Sequence, residues 1–100
     1  MSGPTLPADA QAYRRTDVFT ETSVPAALLK AHATKADAWG LIHVLEGRLA
    51  YRVNDPRRPA SRTVLTPRTA PGVVEPTILH EVEPLGPVRF YVEFHRREAA

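Results

Sequence analysis

From Trp39 onward the chain reads as a succession of short β-strands. Residues 39–45 form an apolar run of strand length. Leu49, Tyr51 and Val53 then alternate with Arg48, Ala50 and Arg52, the period-2 mark of a half-buried strand. Glu46-Gly47 lies between the two and predicts a tight glycine turn, hence a hairpin. Asn54-Asp55-Pro56 ends the second strand and opens a long polar loop. Residues 63–65 and 73–75 are short strands; Pro71-Gly72 turns the chain before the second and Pro76 cuts it off. Ile78, His80 and Val82 alternate with Leu79, Glu81 and Glu83. Residues 84–87 predict a further turn. Beyond it Val88, Phe90, Val92 and Phe94 alternate with Arg89, Tyr91, Glu93 and His95.

The first third is less regular. Pro25 suits the first position of a helix, but Leu28, Lys30 and His32 alternate with Ala27, Leu29 and Ala31. We read residues 23–32 as a strand preceded by a short turn. Residues 1–12 are rich in Pro and Ala and are expected to be a flexible arm, with 98–100 as a tail. Short strands at regular spacing, separated by turn residues, predict one all-β sandwich or closed barrel.

Composition adds bounds. One hundred residues make one domain with one core, and so small a domain has a thin stability margin. A homodimer is a natural remedy. The chain has no cysteine, which excludes disulfides and thiolate metal sites and fits a cytoplasmic home. No apolar run approaches a membrane span, and the first seven residues lack the pattern of a secretory signal. The net charge is only +2, and the one basic cluster, Pro56-Arg57-Arg58-Pro59 with Arg62 and Arg68, reads as a solvated loop. Neither nucleic acid nor membrane is an expected partner.

Four histidines and several acids near strands make a divalent metal site the first chemical hypothesis, with zinc, iron, manganese or nickel not distinguished. His80 leads, because it faces the same way as Ile78 and Val82; it reads equally as a core histidine bound to a backbone carbonyl. His32 ends an apolar stretch and reads otherwise as an exposed strand end. Glu75, five residues before His80, could join it, or stand exposed beside a turn. Glu93 lies opposite Phe90, Val92 and Phe94, facing either a second covered surface or solvent. His43 reads as a satisfied core or interface histidine, and His95, beside Arg96 and Arg97, as exposed. No Ser-His-Asp order with a nucleophile elbow and no Gly-rich phosphate cradle is present.

Two stretches carry a family resemblance: YRRTDVFTETSVPAALLKAHATKADAWGLIHVLEGRLAYRV at 13–53 and PGVVEPTILHEVEPLGPVRFYVEFHRR at 71–97. PAALLKAH and RFYVEF are the most specific segments. Together they resemble a small cupin-like domain found free-standing and at the N-terminus of tellurite-resistance methyltransferases. The resemblance implies a cupin-type β-barrel (a double-stranded β-helix, or jelly roll) over residues 13–97. In cupin order, His32 opens the first motif and Gly47 ends it, while Pro76 and His80 fit the second. Thr34 stands where the second histidine belongs, and the motif's glutamate, due near Trp39, is missing. The implied metal ligands are therefore His32 and His80, completed by Glu93 or Glu75. The resemblance does not imply methyl transfer, since no S-adenosylmethionine motif is present. The leading expectation is a tellurite-resistance-type cupin that binds a divalent metal and a small ligand or oxyanion in stress response. The alternatives are a small metal-dependent cupin enzyme of isomerase or dioxygenase type, and a metal-free partner-binding domain.

Overall fold

The computed structural model describes residues 4–97. The last three positions of the expected arm, 10–12, already lie in a strand, whereas residues 1–3 and the tail 98–100 fall outside the described residues. Six strands follow in order: β1 (Ala10–Arg15), β2 (Phe19–Thr20), β3 (Trp39–Val53), β4 (Ser61–Leu65), β5 (Gly72–Val74) and β6 (His80–Arg97). The only helical element among the described residues is a 3-10 turn at Ala26–Leu29. The domain is all-β, as the alternation predicts. Its single sheet runs β1-β6-β3-β4, with β2 on β6 and β5 on β3, and it is not closed. No helix among the described residues is long and apolar enough to cross a membrane.

Two sequence expectations fail here for one reason. Glu46-Gly47 is not a hairpin turn, and residues 84–87 do not end a strand. Both lie inside the two long strands β3 and β6, which pair antiparallel along nearly their whole length. The N-terminal half of β3 pairs with the C-terminal half of β6, from Trp39↔His95 to Gly47↔Val88. The other halves pair from Leu49↔Pro84 to Val53↔His80. At the junction Leu45 is an extra residue on β3, and residues 85–87 stand against the single residue Arg48. A bulge bends its strand and sharpens the twist. Gly47, at φ +80°, supplies the backbone that the bulge needs, and a Cβ there would overlap the Pro87 carbonyl.

The inward face changes parity across the bulges. Ile42 and Val44 are buried before them, Leu49 and Tyr51 after. Both halves supply one core, with Ile42, Val44 and Phe90 from one and Leu49, Tyr51 and Val82 from the other. Phe90 and Leu49 are fully buried, each contributing roughly 1.5–3 kcal/mol by transfer from water. The halves also touch at the edge: the Tyr51 hydroxyl donates to the Val73 carbonyl at 2.9 Å.

The expected strand over 23–32 is replaced by the 3-10 turn. Pro25 precedes it, and the Leu28 amide donates to the Pro25 carbonyl at 3.0 Å. Four residues with none buried fit a surface turn. Strand-like pairing survives only at its end, where His32 and His80 exchange backbone hydrogen bonds of 3.0 and 2.9 Å.

Candidate functional site

The bent ribbon encloses a cavity of about 530 Å³. Its deep wall carries Ile42, Val74, Val82 and Phe90, all buried, with Val92 and Phe94 beside them. Its mouth is formed by exposed residues of β1 and the loop after the 3-10 turn, among them Arg14, Ala33 and Lys35. The volume is in the range of small-molecule sites, and the walls are mainly apolar, as such sites usually are.

His32 and His80 enter this cavity side by side, their ring centroids 4.1 Å apart. The backbone bridge sets that pairing. Each ring is locked the same way: Nδ1 donates to the carbonyl two residues back, His32 to Lys30 and His80 to Ile78, both at 2.9 Å. A carbonyl only accepts, so Nδ1 carries the proton, and in the neutral ring Nε2 is left as an acceptor. Neither Nε2 has a hydrogen-bond partner among the described residues. Burial lowers the His80 pKa to about 4, outweighing the hydrogen bond to Ile78, and His32 pushes the same way. His80 is therefore neutral at pH 7. Tyr51 packs its ring edge-on against His80 at 5.9 Å, and burial raises its own pKa.

A family model, the TehB-like domain, matches residues 14–92. The chain belongs to the TehB-like domain family. It is 31% identical over 74 residues to a probable S-adenosyl-L-methionine-dependent methyltransferase TehB of Haemophilus influenzae strain Rd, and 30% identical to that of strain 10810. Each match covers 73% of this chain but 26% of the relative, so the chain spans about a quarter of the length of these curated relatives. The crystal structure of TehB from H. influenzae superposes with a TM-score of 0.81 at 25% identity, covering 90% of this chain and 32% of that one. A protein from Escherichia coli K12 shares the fold with a TM-score of 0.84 at 16% identity, covering 97% of this chain and all of the other.

Of the four ligands expected from the sequence, the TehB-like fold brings two together. Glu75 is held in a two-pronged ion pair by Arg58, with Nε at 3.0 Å from Oε1 and Nη2 at 2.9 Å from Oε2. That hydrogen-bonded guanidinium keeps its pKa below the ordinary carboxylate value. Glu93 stands on the opposite face of β6 from Val92 and Phe94. There it accepts from His95 Nε2 at 2.8 Å and lies 3.6 Å from His43 Nε2. Its pKa is lowered first by the His95 hydrogen bond. Among the described residues no group of three His, Asp or Glu is placed to hold a metal ion. Two nitrogen donors without an oxygen donor fall short of the three or four ligands of a resident divalent metal, so the residues present do not fit one.

His95 is not exposed as expected but 9% accessible, because β6 is an inner strand flanked by β1 and β3. His43 stacks on Tyr91 at 4.7 Å, and its buried Nε2 faces the Glu93 carboxylate at 3.6 Å.

Three residues escaped sequence reasoning. Arg14 reaches the mouth because β1 shifts register at Tyr13, a bulge that alternation does not reveal. Lys35 lies in an irregular loop. Asp55, taken as turn punctuation, is 4% accessible and fastens the arginine loop. It accepts from the Arg57 amide at 2.8 Å, from the Arg57 guanidinium, and from the Leu79 amide at 2.9 Å. Arg57, foremost, holds its pKa well below the ordinary carboxylate range. The Asp-Pro-Arg spacing was the available signal, since a turn aspartate commonly caps the amide two residues on.

Proposed function

We propose that this TehB-like domain is a cupin-type small-molecule-binding module of tellurite-resistance machinery. The ligand enters the cavity and meets the Nε2 atoms of His32 and His80. One observation carries this reading: a largely apolar cavity with two paired imidazoles, each locked through Nδ1 with its Nε2 unengaged. A core histidine kept only for packing needs no open second nitrogen. Family membership supports the link to TehB-type systems, and the S-adenosylmethionine chemistry named for those relatives is not assigned to this quarter-length match. The His pair supplies two acceptor nitrogens, and no carboxylate lines the cavity beside them to complete an acid–base set, which favours binding over catalysis.

A ligand-detected NMR screen of fragments, mapped on the ¹⁵N-labelled protein, tests the proposal. Hits compete for one site, shift His80, Val92 and Phe94, and weaken in His32→Ala. Elemental analysis of the same samples shows no stoichiometric metal. Hits that leave these residues unmoved, or that bind His32→Ala as well as the wild type, overturn the assignment.

A further inference from the structure

We infer that the ligand of this cavity is an organic anion with an apolar body, such as a medium-chain carboxylate, and not a bare inorganic oxyanion. The inference rests on the cavity being the binding site proposed above. The charges along the cavity are one-sided: Arg14 and Lys35 line it, and no aspartate or glutamate does. Neither cation forms an ion pair among the described residues, so no acid offsets their charge at the cavity. Both are exposed, so the positive charge sits at the mouth.

The interior makes the opposite demand. Its walls at Ile42, Val82, Phe90 and Val92 offer nothing to replace the hydration of a small oxyanion, and stripping that hydration is costly. The polar atom of buried His80 that faces no protein partner is an acceptor, so it repels an anion's lone pairs. An anionic group therefore stays at the mouth with Arg14 and Lys35, while an apolar body fills the space behind it. The imidazoles then meet the body, where their Nε2 atoms accept from a hydroxyl that it carries.

The test titrates the intact chain with sodium octanoate, 1-octanol and sodium tellurite, by calorimetry and by amide shifts at Ile42, Phe90 and Val92. Octanoate should bind at least about tenfold more tightly than octanol, as expected of a charge-assisted contact. Tellurite should leave those amides unmoved at millimolar concentration. The double variant Arg14→Gln/Lys35→Gln alters only exposed side chains, and circular dichroism checks its fold. It should lose that advantage for octanoate and keep its affinity for octanol. Equal binding of octanol and octanoate, or undiminished octanoate binding by the variant, overturns the anion assignment and leaves the cavity as a binding site. Tellurite alone shifting these amides does the same. If no probe shifts them, both this inference and the binding proposal fall.

Discussion

Acidification should destabilise this domain before its carboxylates titrate, and His80 should be the cause. In the folded chain His80 titrates at about 4, against 6.5 for a free imidazole. Between those values the unfolded chain binds a proton that the folded chain refuses, so stability falls as pH falls. The gap from 6.5 to about 4, at roughly 1.4 kcal/mol per pH unit, amounts to about 3 kcal/mol. About 2.5 kcal/mol of that is lost between pH 7.5 and 4.5, with a slope near 1.2 kcal/mol per pH unit around pH 5. Glu75 and Glu93 have lowered pKa values, so their contributions are lost only from about pH 4.5 downward. Urea unfolding at half-unit steps from pH 7.5 to 4.5, followed by Trp39 fluorescence and far-ultraviolet circular dichroism, measures the slope. His80→Leu removes the titrating group, and the slope should flatten even if the variant is less stable throughout. A flat wild-type profile, or an equal slope in His80→Leu, would refute the buried neutral imidazole.

Gly47→Ala places a Cβ at φ +80° against the Pro87 carbonyl; backbone strain alone costs about 1–3 kcal/mol, and the clash adds to it, so the urea midpoint should drop sharply. Phe90→Ala empties the centre of the core and should cost about 3–5 kcal/mol in the same assay. Asp55→Ala frees the Leu79 amide and the Arg57 guanidinium together; hydrogen exchange at Leu79 should accelerate, and unchanged protection would show that the aspartate does not fasten the loop. Glu75→Gln breaks only the partly exposed pair with Arg58, so stability should move by less than about 1 kcal/mol and ligand affinity in the cavity should not change.

Strand content was legible because one face of each strand is buried, and burial writes itself as alternation. The inward set of β6, from His80 and Val82 to Val88 and Phe90, could be named from the sequence. Strand continuity was not legible. A glycine at positive φ serves a turn and a bulge alike, so Glu46-Gly47 and residues 84–87 looked like two chain reversals. Only their pairing against each other shows them to be one bend in a continuous ribbon. The histidines repeat the lesson. His80 was readable from its own strand, while His95 looked exposed because its neighbours are arginines, and its burial comes from strands on both sides. Glu93 was placed correctly on the face opposite Phe90, but nothing local told that His43 and His95 would occupy that face with it.

The bend that the sequence concealed is also what makes the candidate site. In a straight ribbon, His80 and Val92 would lie far apart along β6 on one open face. The paired bulges at Gly47 and residues 85–87 turn the two halves toward each other. Val82 and His80 then line the same cavity as Ile42, Val92 and Phe94. The imidazole pair and Val82 belong to one half, and Ile42, Val92 and Phe94 to the other. Gly47 is thus coupled to the cavity without touching its ligand. A variant that relaxes the bulge yet still folds should lose octanoate binding more completely than a change at either histidine, because it parts the walls that together hold the apolar body.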